Sequence, residues 1–257
     1  MKQTLLLLAV LFSTALSGCN GAAPYVRTVG ELHPGMRMEL RVAGAQVEAY
    51  APLPKQPTQA YTVEATALAA APPPPSIVPD ARGIVVNAPS RLADLLVRVP
   101  PGVDLVVRSA GGDIDISNVG GNADLATRRG SIHALLDGYA QARVGVGNIN
   151  VTMGALAWPG TLHFHVDKGD VTLFVAANAH FHVHMQTDRG TIFTNYGLRG
   201  TSHGASERID GTIGPANGQG ISIVVRQGSI RLLRMMPQAY CLELQVARHD
   251  PTRDFSA

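Results

Sequence analysis

After residue 110 the triplet Gly-x-Ile/Val recurs as Gly112-Asp113-Ile114, Gly130-Ser131-Ile132, Gly147-Asn148-Ile149, Gly169-Asp170-Val171, Gly190-Thr191-Ile192, Gly211-Thr212-Ile213 and Gly228-Ser229-Ile230. Successive glycines stand 18, 17, 22, 21, 21 and 17 residues apart. A period near twenty is too long for a hairpin and too short for a helical repeat, but it suits one coil of a β-solenoid. Seven, five and three places before the glycine come Leu105, Val107, Ser109; Ala123, Leu125, Thr127; Ala140, Ala142, Val144; and Ile221, Ile223, Val225. Residues such as Arg108, Asp124, Gln141, Arg143 and Ser222 alternate with them. That period of two predicts short strands with one buried face. Glycine suits the corner, where a positive φ turns one strand into the next without Cβ strain. The Gly211 copy fits poorly, with Ser206 and Arg208 at inward places, and reads as a surface loop. Six coils about 4.8 Å apart predict a column of roughly 30 Å.

Composition points the same way. With 27 Gly and 17 Pro, helix interiors would be interrupted too often for a helical bundle. A hydrophobic content of 46% excludes a disordered polyelectrolyte. The net charge of +2 gives no bulk drive toward nucleic acid. Upstream of the repeat, Arg37 to Arg41, Gln46 to Tyr50, Ala60 to Thr66, Gly83 to Asn87 and Leu95 to Val99 also read as short strands. Pro72-Pro73-Pro74-Pro75, inside a proline-rich loop at 70–80, reads as a stiff polyproline excursion; docking to an aromatic-grooved partner is the other reading of that run.

Met1-Lys2 and the apolar run from Leu5 to Leu16 read as a secretory signal peptide, the run being too short to span about 30 Å of hydrocarbon. It ends in Leu16-Ser17-Gly18-Cys19, which resembles the lipobox of bacterial lipoproteins. The resemblance implies cleavage after Gly18, lipidation of Cys19 and, with Asn20 next, an outer-membrane or outward-facing anchor. Several acyl chains on one residue hold firmly, since each buried methylene contributes about 0.8 kcal/mol. Cys241 then stands alone in the mature chain, on a strand-like stretch from Tyr240 to Val246 without a neighbouring base, and reads as structural or incidental. The expected organisation is a signal peptide at 1–18, a lipid-anchored tether at 19–35, N-terminal strands at 36–100, a parallel β-solenoid repeat domain at 101–247 and a tail at 248–257.

Several stretches carry a family resemblance. Val97-Arg98-Val99-Pro100-Pro101-Gly102-Val103-Asp104-Leu105, Ser109 to Ile114, Thr127 to Ile132, and Ala176 to His180 leading to Thr187 to Ile192 are similar to the bacterial "putative adhesin" β-strand-repeat family of uncharacterised envelope proteins. The similarity runs over roughly residues 81–235. It implies an all-β, right-handed parallel β-solenoid and supplies no catalytic residues to carry over.

Histidine is the densest unusual feature. His163 and His165 lie in one repeat, and His180, His182 and His184 in the next. His163 and His184 each precede a corner glycine by six, so the repeat predicts that they stack in adjacent coils, with His165 and His182 flanking them on the outward face. Imidazoles so placed could converge on zinc or copper at about 2.0 to 2.1 Å, or titrate together near pH 6.5 as a pH-responsive patch. A solvated polar face explains the same pattern without a cofactor. Arg129, Lys168 and Arg189, just before their corner glycines, form a second candidate row for anionic headgroups or polysaccharide, although Asp167, Asp170 and Asp188 stand beside it.

A carbohydrate-cleaving solenoid needs carboxylates gathered across neighbouring coils. Asp113 and Asp115 are followed at the equivalent places by Ser131 and His133, then Asn148 and Asn150, so no such cluster is expected and the chain reads as a non-enzyme. The expected function is a lipid-anchored envelope protein presenting an adhesin-like binding or structural module. Its partners would be the membrane, through Cys19, and an envelope glycan or protein, but not nucleic acid. A carbohydrate-active enzyme and a metal- or pH-sensing periplasmic component are the alternatives.

Overall fold

The computed structural model describes residues 25–51, 59–67, 74–90 and 92–235. The expected signal peptide, Cys19, the start of the proline run and Cys241 lie outside them. Ahead of the glycine repeat come β1 (Tyr25–Glu31), β2 (Arg37–Val42), β3 (Gln46–Tyr50), β4 (Ala60–Ala67), β5 (Ser76–Asp80), β6 (Gly83–Ala88) and β7 (Leu92–Arg98). The repeat itself supplies β8 (Asp104–Ser109), β9 (Ile114–Val119), β10 (Ala123–Arg129), β11 (Ile132–Leu136), β12 (Ala140–Val146), β13 (Ile149–Met153), β14 (Thr161–Lys168) and β15 (Val171–Ala176). The C-terminal part contains β16 (Phe181–Arg189), β17 (Ile192–Thr194), β18 (Thr201–His203), β19 (Ser206–Ile213), β20 (Gly220–Gln227) and β21 (Ile230–Met235). There is no helix among the described residues.

The strands form two sheets, ordered β1-β4-β7-β3-β9-β11-β13-β15-β21-β17 and β18-β19-β16-β20-β14-β12-β10-β8-β2-β6-β5. Within the repeat the chain alternates between sheets, and each strand pairs in parallel with its equivalent one repeat later. One strand from each sheet makes a rung. The inward positions predicted by the repeat are buried, down to Ser109 and Thr127, and face Ile114, Ile132, Ile149, Val171 and Ile230 from the other sheet.

The triplet is explained by the corner between the sheets. At Gly147 φ is +140°, and a Cβ there would lie 2.6 Å from the Gly130 carbonyl carbon and closer still to its oxygen. The glycines therefore stack carbonyl to Cα through successive rungs. The middle residues of the triplets at Gly112, Gly130, Gly147 and Gly169 each tie one rung to the next. Asp113 Oδ1 accepts from the Ser131 N–H at 2.7 Å, Ser131 Oγ from Asn148 N–H at 3.2 Å, Asn148 Oδ1 from Asp170 N–H at 2.8 Å, and Asp170 Oδ1 from Ser229 N–H at 2.7 Å. Short oxygen-bearing side chains suit the place because they reach one strand spacing, about 4.8 Å.

The structure departs from a uniform parallel column at both ends. The rung β20/β21, last in sequence, sits between β14/β15 and β16/β17. At the other end β2/β3 sits between β6/β7 and β8/β9. Antiparallel strands cover the outer strands β7, β6 and β16: β4 and β1 on β7, β5 on β6, and β19 and β18 on β16, while β17 stays at the edge of the first sheet. The first and last rungs of the repeat sequence are thus held on both sides, which shields backbone groups that a terminal rung would leave open.

Three expectations change accordingly. Gly211 turns no corner, as its poor fit to the repeat predicts, but it lies in β19, opposite Val183 in an antiparallel pair, and not in a surface loop. Part of the proline-rich loop is strand, since β5 pairs with β6. β1 lies within the segment expected to be a tether, and the β2–β8 pairing carries the second sheet across the expected boundary at residue 100.

Candidate functional site

Outward side chains of the second sheet stand in rows set by the parallel register. One row reads Glu39, Val106, Asp124, Gln141, His163, Ser222, His184, Asp210. The next reads Arg41, Arg108, Ala126, Arg143, His165, Val224, Gln186, Arg208. A depression of about 350 Å³ opens over their middle, lined by Arg108, Asp124, Gln141, Arg143, His163 and His165, among others.

The histidines are not stacked as the repeat predicts. Ser222 of β20 lies between His163 and His184, which places those two strands about 9.6 Å apart. The cause is the out-of-order rung, which a repeat alignment in sequence order cannot register. Each imidazole has its own surroundings. His165 Nε2 is 3.2 Å from Asp167 Oδ1, His182 Nδ1 is 2.9 Å from Thr212 Oγ1, and His184 Nδ1 is 2.7 Å from Asp210 Oδ1. Among the described residues no group of three or more His, Cys, Asp or Glu side chains is arranged to hold a metal ion. His163, His165, His182 and His184 are therefore not gathered into the candidate zinc or copper cluster.

The candidate anion row changes for the same reason. It reads Arg129, Val146, Lys168, Gln227, Arg189, so Lys168 and Arg189 are separated by a neutral glutamine instead of standing on adjacent strands. Nearby, Asp167 lies 3.3 Å from Arg226 Nε as well as beside His165. Asp113 is engaged in the corner ladder and Asp115 accepts from Gln46 Nε2 at 3.2 Å, so both carboxylates have structural partners.

Two arrangements escape sequence reading. Arg208 Nε donates to Asp210 Oδ2 at 2.5 Å, and this bond, followed by that from His184, holds the Asp210 carboxyl down at about 2. The grouping exists only because β19 folds back antiparallel on β16. The aromatic trio Trp158, Phe181 and Tyr196 packs with ring centroids 5.8 and 5.5 Å apart. Trp158 Nε1 donates to Gly220 O at 3.1 Å, fastening the start of the inserted rung, and Tyr196 Oη donates to Val175 O at 3.1 Å. Burial pushes the Tyr196 phenol up to about 12, against the opposing pull of Arg234. The Arg41, Arg108, Arg143 row did leave a trace in the sequence, because each lies four residues before a corner, with Ala45 standing in for glycine in the first.

No family model matches the chain, and no curated protein does. Among solved structures, a putative cell adhesion protein from Clostridium sporogenes matches with a TM-score of 0.51 at 10% identity, covering 82% of this chain and 100% of that one. A putative adhesin from Bacteroides fragilis matches at 8% identity over 85% of this chain and 100% of that one, with a TM-score of 0.26, too low to support an argument. This chain shares its fold with the Clostridium sporogenes protein along that protein's whole length.

Proposed function

We propose that this chain is a lipid-anchored bacterial envelope protein that presents its two-sheet β domain as a non-catalytic, adhesin-like binding or structural module. The observation that carries the reading is the fold shared with a protein described as a putative cell adhesion protein. The run ending in Leu16-Ser17-Gly18-Cys19 supports export and acylation at Cys19, with residues 1–18 removed. The stacked parallel rungs favour a right-handed β-solenoid with antiparallel caps as the finer description of the fold. Radiolabelled palmitate fed to expressing cells tests the anchor: the label should enter the wild type and be lost in Cys19→Ser, and equal labelling of both would refute it. Incubating the full chain with a glycan array tests the module: retention without release of reducing sugar is expected, and depolymerisation would refute a non-catalytic role.

A further inference from the structure

The same face of the second sheet holds a larger groove of about 760 Å³, beside the histidine rows. Arg41, Arg108, Arg128 and Arg143 line it, and Asp167 is the carboxylate in its wall. Arg41 and Arg108 stand on neighbouring strands, while Arg143 is two strands beyond Arg108 with Ala126 between them. Ala126 and Gly145 keep the floor low. At Gly145 a Cβ would come within 2.6 Å of the Arg128 carbonyl oxygen, so a side chain cannot fill that space without moving backbone.

Charge in the groove is unevenly compensated. Arg41 donates to Glu39 at 2.7 Å, Arg108 pairs with Asp124, and Asp167 is shared by His165 and Arg226. Arg128 and Arg143 have no acidic partner among the described residues, and both are exposed. Two guanidinium forks at one groove are suited to carboxylate, sulfate or phosphate oxygens, which they can bind bidentately. No aromatic ring lines the groove, so affinity must come from charge and hydrogen bonding instead of stacking. From Asn87 on β6 to Arg143 on β12 it crosses four strand spacings, about 19 Å, which suits an extended chain more than a single ion. A flat bilayer would be met better by cations on a protruding surface than by cations around a recess.

We infer that this groove binds an acidic polysaccharide laid across the strands, with anionic groups on Arg128 and Arg143. The inference rests on the binding-module reading and names its ligand class. It is tested with the full chain in detergent, using polygalacturonate as probe, dextran as neutral control and phosphatidylglycerol vesicles as a lipid arm. Wild type should bind polygalacturonate, more weakly as salt rises, and ignore dextran. R128Q/R143Q should weaken binding at least about tenfold without changing the melting temperature, while K168Q/R189Q, outside the groove, should change it less than about twofold. Equal weakening by the two pairs, or binding of wild type to vesicles but not to polygalacturonate, would overturn the assignment. A wild type that ignores polygalacturonate yet is retained elsewhere on the glycan array defeats the groove and leaves the module reading standing. Retention nowhere on the array defeats both the groove and the glycan-binding form of the module reading.

Discussion

Replacing Gly147 with alanine tests the idea that the corner column holds the rungs in register. The substitution has two separable costs. At φ +140° an L residue is strained by about 1 to 3 kcal/mol, and the added Cβ meets the Gly130 carbonyl, where overpacking costs about 1 to 3 kcal/mol more. Gly35 is the natural control: its φ is +83° but a Cβ there meets nothing within 4 Å, so Gly35→Ala should lose only about 1 to 2 kcal/mol. Both variants gain the same small benefit from a stiffer unfolded chain, which cancels in the comparison. Gly147→Ala should therefore exceed Gly35→Ala by about 1 to 4 kcal/mol. Urea unfolding followed by fluorescence reports this directly, because the single tryptophan, Trp158, is buried. Relief of the clash should also part the Gly130 and Gly147 rungs and speed exchange of the Asn148 amide, which bonds to Ser131 Oγ across them. Equal losses in the two variants would show that the column is only a run of permissive corners, and the stacking argument would be wrong.

Asn148→Ala removes the acceptor for the Asp170 N–H and should cost about 1 kcal/mol, with faster exchange at Asp170 and little change three rungs away; protection that stays intact would count against the ladder. Trp158→Phe keeps an aromatic ring, smaller than the indole, but drops the bond to Gly220 O, and should cost about 1 to 3 kcal/mol with exchange rising first in β20; a loss spread evenly over both sheets would contradict the fastening role. Asp210, held at about 2 by Arg208 and His184, binds its proton less readily when folded than unfolded. Its contribution is thus present above the ordinary carboxylate pKa of about 3.9 and is lost as pH falls toward about 2. Solvent screening at this exposed site limits it to a few tenths up to about 1 kcal/mol, and Asp210→Asn should flatten that part of the pH–stability curve; an unchanged slope would argue against the pairing.

The repeat made the rung legible because its causes are local. Alternation needs only neighbours two apart, as at Leu105, Val107 and Ser109, and the corner glycines and their Asp, Ser and Asn partners recur wherever a strand leaves one sheet for the other. The Arg108 and Arg143 row was visible to the same alignment, since four residues before each corner is an outward place. Rung order was not legible. A rung's triplet specifies how it pairs but not with which neighbour, and Gly190 would stack on Gly169 as readily by pattern as it stacks on Gly228 in the fold.

That choice is made by contacts distant in sequence: Trp158 holding Gly220, and β19 folding back on β16 to cap the outer rung. It separates His163 from His184 and Lys168 from Arg189, joins His184 to Asp210, and leaves the arginine groove on β6 to β12, clear of the inserted β20. The sequence by itself determined the strands of the repeat, their inward faces and their corners, because period and backbone geometry act within one rung. Only the tertiary structure decided which rungs touch, because equivalent edges are interchangeable until caps and side-chain fastenings distinguish them.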